Sequence, residues 1–250
     1  MLTTSQRDAF DRQGLVRLPA AVPVEAVTEM RDRFWAFLFS EYGIDRGNVE
    51  TWTSVRPRRL QALRRSGTFA SMASDQVRRA LDDLLGTGGW RPPKAWGLPL
   101  VTFPPIDPDT TWSVPTSGWH VDSYGPEHDL PGVTVFAFLS AVAARGGGTV
   151  VLEASHRLVN HHIAMTGIWR PAEVKAALAA AYPWLHEVWN GRRYPDDEAV
   201  LDGVQIAVRE LTGEPGDVIL MHPRTLHVTA PNTGDTPRMM LVEIIERPSG

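Results

Sequence analysis

The pattern of apolar residues changes near Trp90, and this change restricts the folds that the chain can adopt. Before Trp90, apolar side chains recur at helical spacing, as in Val27, Met30 and Phe34. After it, prolines are frequent, and short apolar runs alternate with glycine-rich turns such as 145–148. Helices followed by many short strands predict a mostly β fold with flanking helices, built on a double-stranded β-helix (jelly-roll, cupin-like) core.

We expect a single domain over residues 1–250, with a mainly helical layer at 1–89 and the jelly-roll core at 90–250. Within the layer, the periodicity predicts helices at 6–13 (with Ser5 as the N-cap), after Pro23, and at 74–85. A helical insert is predicted at about 160–201, with a helix at 171–181 that extends toward 189. The core strands are predicted at 133–139, 149–152, 204–208, 217–221 and 239–245.

The composition excludes several classes of protein. The chain has 250 residues, of which 43% are hydrophobic, so it can bury one sizeable core. It has no cysteine, which excludes disulfides, thiolate zinc sites and iron–sulfur clusters and leaves His, Asp and Glu as metal ligands. A net charge of -4 argues against a nucleic-acid or anionic-membrane partner. The sequence has neither an apolar leader nor a run of about 20 apolar residues, so we expect a cytoplasmic protein, with its oligomeric state open.

Three side chains form a candidate metal site. His120 and Asp122 are two positions apart, so on a strand they would point to the same face. His227, from a distant strand, would complete a set of two imidazoles and one carboxylate, which is typical of non-heme Fe(II) oxygenases. Taken alone, the His-x-Asp pattern favours a strand histidine that hydrogen-bonds its neighbour over a metal ligand.

Several motifs occur together in an order that resembles the phytanoyl-CoA dioxygenase family of Fe(II)/2-oxoglutarate oxygenases. The resemblance spans nearly the whole chain. It departs from the family pattern at Glu153-Ala154, where a Pro-Gly pair usually precedes the Ser-His. The matching pieces are Trp119-His120-Val121-Asp122, then 147–152 running into Ser155-His156-Arg157, and finally 216–222 continuing through 226–229 and Pro231-Asn232 to Arg238.

This resemblance implies a role for each of six residues. The implied iron ligands, which are also the catalytic residues, are His120, Asp122 and His227. Arg238 would pair with the distal carboxylate of 2-oxoglutarate, because a planar guanidinium matches a carboxylate better than an ammonium does. Thr229 would add a hydroxyl to the same carboxylate. Phe138 matches the place of a bulky aromatic beside the cosubstrate, although core packing alone would also favour an aromatic there.

The resemblance also implies the reaction. Such an enzyme uses Fe(II), 2-oxoglutarate and O2 to oxidise a small-molecule substrate, and it releases succinate and CO2. Halogenating relatives replace the carboxylate ligand with a small residue, so Asp122 favours hydroxylation, while desaturation, epimerisation and ring formation stay open. The substrate class is open too: a natural-product or amino-acid-like intermediate fits the family, and Glu127, His128 and Asp129 beyond the metal loop hint at a polar, amine-bearing molecule.

Alternatives remain at this point. The same three ligands would suit a zinc metallohydrolase, although that function gives Arg238 no task, and the fold would also suit a non-catalytic jelly-roll binding module. His222 competes with His227 as the distal ligand, but we expect a structural or pocket-lining role for it. We expect surface or pocket-rim positions for His161 and His162, and a solvated helix face or a lid for the arginines of 56–65.

Overall fold

The strands form two antiparallel sheets, with helices on the outer face of each. The computed structural model describes residues 1–52, 57, 59–107, 109–123 and 128–248. The helices are α1 (Thr4–Gln13), α2 (Val24–Tyr42), α3 (Leu60–Arg65), α4 (Asp75–Leu85), α5 (Ser155–Thr166), α6 (Pro171–Ala181) and α7 (Pro183–Trp189). The strands are β1 (Leu15–Leu18), β2 (Leu98–Thr102), β3 (Gly132–Phe138), β4 (Thr149–Glu153), β5 (Glu198–Leu201), β6 (Val204–Glu210), β7 (Val218–Met221), β8 (His227–Thr229) and β9 (Arg238–Glu246).

The larger sheet has the order β1-β7-β3-β9-β2 and the smaller one the order β5-β6-β4-β8. A backbone bridge from His120 to His227 extends the smaller sheet beyond β8. The predicted jelly-roll core with flanking helices is therefore confirmed. The assignment of all 250 residues to one domain stays a prediction.

Apolar residues gather in three clusters, which explains why β3 is buried along its whole length. The central strands β3 and β7 are covered on both faces, so they read as continuous apolar runs and lose the alternation of a half-exposed strand. One cluster lies between α2, α4 and the outer face of the larger sheet, and includes Val27, Phe34, Leu81, Val135, Leu220 and Leu241. The second lies between α5 to α7 and the smaller sheet, and includes Leu158, Leu178, Val188, Leu152 and Val208. The third lies between the sheets, and includes Phe136, Phe138, Ile219, Met240 and Val151.

The first helix starts at a different residue from the expected one. Its N-cap is Thr3, not Ser5: the Gln6 backbone N–H donates to Thr3 Oγ1 (3.2 Å), and the Thr3 N–H donates to Gln6 Oε1 (3.0 Å). This reciprocal pair is a capping box, which a lone serine at position 5 would not form. The helix ends at Gly14, as predicted, with a left-handed φ of 76°.

The sequence patterns missed several elements of the core. The motif Ser155-His156-Arg157 begins α5, a helix start that the sequence patterns did not predict. Ser155 Oγ accepts a hydrogen bond from the Leu226 N–H (2.9 Å), which ties this helix to the segment before β8. Strands β1, β2 and β5 were not predicted, and β5 interrupts the expected helical insert. None of the helices in the described ranges is both long and apolar enough to cross a membrane.

Candidate metal centre

His120 and His227 are joined through their backbones. The His120 N–H donates to the His227 carbonyl (3.0 Å), and the His227 N–H donates to the His120 carbonyl (2.9 Å). Asp122 lies just past this bridge, in the following loop, where its N–H donates to the Pro223 carbonyl (2.7 Å). The two residues of the His-x-Asp motif therefore do not share a strand; the bridge and the loop bond position them separately.

The three side chains converge on one point. Asp122 Oδ1 lies 3.8 Å from His120 Nε2 and 3.7 Å from His227 Nε2. All three candidate ligand atoms lie within 4.8 Å of one another, and no other such group occurs among the residues described. Cis ligands of a six-coordinate ion would be on the order of 3 Å apart at bond lengths near 2.1 Å, so only a small contraction separates this arrangement from coordination.

The remaining polar atoms of the triad are held by neighbours. The Nδ1 atoms of His120 and His227 lie 2.8 and 2.9 Å from the carbonyl oxygens of Gly118 and Thr225. Each Nδ1 thus carries the proton, and each Nε2 presents a lone pair to the centre. Thr134 Oγ1 donates to Asp122 Oδ2 (2.7 Å), which leaves Oδ1 free to face the two rings. Two neutral nitrogens and one carboxylate oxygen are a donor set that suits Fe(II).

The environment favours the uncharged ligand form and leaves one side open. Burial lowers the pKa of His227, which favours the neutral imidazole that binds metals. The side chains of His227 and Asp122 are 6% and 11% exposed, whereas that of His120 is 53% exposed. The site therefore opens to solvent on the side of His120.

Arg238 is a buried cation between the sheets. It is 2% exposed, and its Nη2 and Nη1 atoms donate to Thr149 Oγ1 (3.0 Å) and Thr102 Oγ1 (3.4 Å). Its Nε lies 3.1 Å from Met240 Sδ. Over the described ranges, no carboxylate lies within ion-pair distance of this guanidinium, and burial lowers the pKa of Arg238 to about 10, an effect that Glu210 opposes. A buried guanidinium with only neutral partners is costly unless an anion joins it.

The register of three strands connects Arg238 with the triad. Directly opposed residues of antiparallel strands share a face of the sheet, so each set of opposed residues forms a row across it. The rows that matter here lie on the inner face of the larger sheet. From the triad toward Arg238, the rows are Thr134 with Ile244; Phe136 with Val242 and Leu98; Phe138 with Met240 and Leu100; and Arg238 with Thr102. Polar groups thus stand at the two ends of an apolar inner face.

The smaller sheet brings two threonines to the same place. Thr149 lies opposite Thr229, and Val151 lies opposite His227, so all four share the inner face. Thr229 is exposed and lies beside the Thr149 hydroxyl that contacts Arg238. Thr102, Thr134 and Thr149 were missed by the sequence patterns, because their contacts depend on strand register, which no motif of the sequence encodes.

Phe138 fills the interior near Arg238. It is fully buried and belongs to the cluster between the sheets, with Met240 and Val151. A Cβ atom at Gly213 would lie 3.0 Å from its ring, so any larger residue there would press against the aromatic. The structure therefore places Phe138 beside the row of Arg238, while its contact with a cosubstrate stays a prediction.

His222 does not join the triad but stacks on His156, with ring centroids 4.6 Å apart. His156 Nε2 donates to the Asp11 carbonyl (3.2 Å), and His222 Nε2 donates to the Asp129 carbonyl (2.9 Å). Burial lowers the pKa of His156 to about 4 and that of His222 to about 3. This pair is a neutral structural contact between α1, α5 and the end of β7.

The other candidates are dispersed. His161 and His162 lie on α5, exposed and half-buried. Arg64 is not a solvated side chain, because it pairs with the buried Glu243 (2.5 Å). His128 and Asp129 are exposed. Arg56, Arg58 and Glu127 lie outside the described residues.

Comparisons with known proteins agree with this geometry. The family model for phytanoyl-CoA dioxygenase (PhyH) matches residues 10–240, and no curated protein matches the chain. Among solved structures, the non-heme alpha-ketoglutarate-dependent epimerase SnoN from nogalamycin biosynthesis is 17% identical, with a TM-score of 0.54 over 98% of this chain and 85% of its own. HygX from Streptomyces hygroscopicus, with nickel and 2-oxoglutarate bound, is 15% identical (TM-score 0.55; 98% and 87%). AviO1 from Streptomyces viridochromogenes Tue57 is 13% identical (TM-score 0.57; 100% and 98%). At these identities the structural likeness establishes the fold.

Proposed function

The chain belongs to the phytanoyl-CoA dioxygenase family of Fe(II)/2-oxoglutarate-dependent oxygenases, as its motifs predicted, and from this premise we propose that it hydroxylates a small-molecule natural-product or amino-acid-like intermediate. The observation that carries the proposal is the buried Arg238, whose hydrogen-bond partners are neutral and which shares an inner face with the triad. A site that binds only a metal would not require such a buried cation. A dicarboxylate that reaches from the triad to Arg238 would supply its missing anion.

His120, Asp122 and His227 are the proposed iron ligands. The carbonyls of Gly118 and Thr225 keep Nδ1 protonated, so both Nε2 atoms stay available, and Thr134 orients the carboxylate. When bound, Fe(II) with 2-oxoglutarate and O2 supplies the oxidising chemistry. The balance is one C–H bond, one O2 and one 2-oxoglutarate consumed, and one C–OH, one succinate and one CO2 formed.

Arg238, Thr149 and Thr229 are the proposed cosubstrate contacts at the other end. Arg238 would pair with the distal carboxylate, with its fork oriented by Thr149, while Thr229 would donate a further hydroxyl. Phe138 would close the interior beside them and exclude water. The exposed side of His120 leaves the substrate an approach that does not cross the cosubstrate.

The intact carboxylate at Asp122 favours hydroxylation over halogenation. SnoN, a non-heme alpha-ketoglutarate-dependent epimerase with the same fold, supports epimerisation as the second candidate reaction. A zinc hydrolase or a non-catalytic module would leave the buried Arg238 without a function.

Anaerobic titration with Fe(II) and 2-oxoglutarate tests the proposal. We expect a weak visible metal-to-ligand charge-transfer band that needs both additions and disappears when Zn(II) replaces Fe(II). Candidate substrates are then screened by succinate release, and mass spectrometry of the product separates an added oxygen from an epimer. A protein that binds Fe(II) but gives neither the band nor succinate would contradict the proposal.

A further inference from the structure

The inner face of β9 becomes steadily more exposed toward one end. Arg238 and Met240 are buried, Val242 is half-buried, and Ile244 is 40% exposed. The strand itself does not leave the sheet there, because its outer-face residue Ile245 is 1% exposed. The exposure of Ile244 is therefore a property of the space between the sheets, which opens at this end.

Ile244 lies at the open end, beside the triad. It is directly opposite Thr134, whose hydroxyl donates to Asp122 (2.7 Å). The Cβ atoms of opposed residues in such a pair are about 5 Å apart. A molecule that enters the space between the sheets at this end would therefore meet the sec-butyl side chain of Ile244 near Asp122.

Strand β2 continues this apolar surface. Leu98 lies opposite Val242, and Leu100 lies opposite Met240. Both leucines are half-buried, whereas Pro99 between them is buried on the outer face. Leu98, Val242 and Ile244 thus form one apolar surface, which we call the mouth wall.

The charged residues of β9 lie outside the rows of the mouth wall. Arg238 is on the same inner face, but it lies two rows further in than Val242. Glu243 is buried on the outer face, where it accepts hydrogen bonds from Arg64 (2.5 Å) and from the Gly97 N–H (2.8 Å). Glu246 shares the inner face, but it lies one row beyond Ile244, opposite Gly132, and marks the rim. An ionised group pressed against the wall would lose water without gaining a partner from it.

We propose that the mouth wall binds an uncharged, hydrocarbon-rich part of the substrate, such as an alicyclic ring or a saturated chain, and holds it beside the metal centre. The inference rests on the proposed function for the reaction, and it narrows the substrate class. The polar, amine-bearing molecule that the sequence hinted at stays a prediction, because the mouth wall concerns only the apolar part of the substrate. Ile244 is the specificity-determining residue, since it is the most exposed member of the wall and the nearest in register to Asp122.

The test compares three cage compounds of the same shape: neutral 1-adamantanol, cationic 1-adamantanamine and anionic 1-adamantanecarboxylate. Ligand-detected NMR measures the binding of 1-adamantanol to the metal-free protein. We expect Ile244→Asp to weaken this binding by at least about tenfold, because it places a charge in the apolar contact. Val200→Asp is the matched control, since Val200 is 71% exposed on β5, and it should change the affinity less than twofold. If melting shows that Ile244→Asp does not fold, Ile244→Ser takes its place.

The second measurement uses the protein with Fe(II) and 2-oxoglutarate under anaerobic conditions. Here 1-adamantanol should perturb the visible band at lower concentration than either charged cage. If the band is absent but Ile244→Asp still abolishes binding of the neutral cage, the proposed function fails and the mouth wall stands. If the band is present and either Ile244→Asp has no effect on binding or a charged cage binds best, the inference is overturned and the proposed function stands.

Discussion

Two pairs of histidine rings are in contact in this molecule, and their protonated nitrogens differ. In the pair His120–His227, whose centroids are 4.2 Å apart, each Nδ1 donates to a carbonyl, so both Nε2 lone pairs face Asp122. In the pair His156–His222, 4.6 Å apart, each Nε2 donates to a carbonyl instead. The hydrogen-bond partner of the other ring nitrogen therefore decides which pair can bind a metal.

Among the described residues, no carboxylate lies between the rings of the second pair. The charged groups that act on its rings are Arg157 and Arg224, and both add to the lowering of the histidine pKa values that burial produces. The Nδ1 of His222 already accepts the Arg224 N–H (3.1 Å). Close contact between two imidazoles is thus a weak indicator of a metal site, and a carboxylate between their lone pairs is a stronger one.

Substitution of a proposed iron ligand should have the largest effect, and it should distinguish the metal-binding pair His120–His227 from the structural pair His156–His222. His120→Ala, Asp122→Ala or His227→Ala should lower Fe(II) affinity by more than about 100-fold, beyond the usual loss for an outer-shell partner, and abolish 2-oxoglutarate turnover. His222→Ala should leave Fe(II) affinity within a few-fold of wild type, because its ring nitrogens face backbone groups. Anaerobic Fe(II) titration measures both. If His222 proved indispensable for iron and His227 did not, the proposed ligand set would be wrong.

Substitution of Arg238 should weaken the binding of 2-oxoglutarate and leave the binding of Fe(II) nearly unchanged. Losing one partner of a buried charge pair costs about 2–5 kcal/mol, so Arg238→Ala should weaken 2-oxoglutarate binding by roughly 30- to several-thousand-fold. Fe(II) affinity should stay nearly unchanged, and Arg238→Lys should recover part of the loss. Titration of the visible band with 2-oxoglutarate gives these affinities. An unchanged affinity in Arg238→Ala would move the carboxylate contact to another arginine, such as Arg145 or Arg224.

The second pair should make the metal-free protein sensitive to acid. Both folded-state pKa values, about 4 and about 3, lie below the unfolded value of 6.5, so below pH 6.5 the unfolded chain takes up protons that the folded chain does not. The free energy of unfolding should therefore fall between pH 6.5 and 4, by roughly 2 kcal/mol per histidine at pH 5. Urea unfolding at several pH values should show a shallower dependence in the double variant His156→Gln/His222→Gln. An equal slope in the two proteins would show that the pair is not buried in its neutral form.

Thr149 should have the smallest effect. A neutral hydrogen bond contributes about 0.5–1.5 kcal/mol, so Thr149→Val should weaken 2-oxoglutarate binding by roughly 2- to 10-fold and leave Fe(II) affinity unchanged. Thr233→Val is the control, because this half-buried threonine directs both its hydroxyl and its N–H to the Arg145 carbonyl. If the substitution weakened Fe(II) binding more than 2-oxoglutarate binding, Thr149 would act at the metal end of the site, and the prediction would be wrong.

The motifs predicted the fold and the family correctly, and they named three side chains that converge, because these depend on short segments in a fixed order. The role of the three side chains as iron ligands stays a prediction. The motifs failed where register or tertiary contact decides. The strand at 239–245 reads as a continuous apolar run, so the one exposed isoleucine, Ile244, looks like its buried neighbours. The contact of Thr149 with Arg238 and the stacking of His156 on His222 join distant segments that no local pattern links. The N-cap of α1 is a different case, because the Thr3-x-x-Gln6 pattern is local and visible in the sequence. The prediction of Ser5 as the N-cap was wrong.

The backbone bridge between His120 and His227 also bears on how the protein folds. The two residues are more than a hundred positions apart in the chain, so the unfolded ensemble holds no preformed binding site. The loop that the bridge closes is long and its contacts are non-local, a topology that folds slowly. Affinity for iron should then arise only in a late stage of folding, after the edge of the smaller sheet is complete. An ion that binds the native chain but not the unfolded one would shift the folding equilibrium toward the native state and lower the rate of unfolding. The supply of iron during synthesis would therefore influence how much active enzyme accumulates.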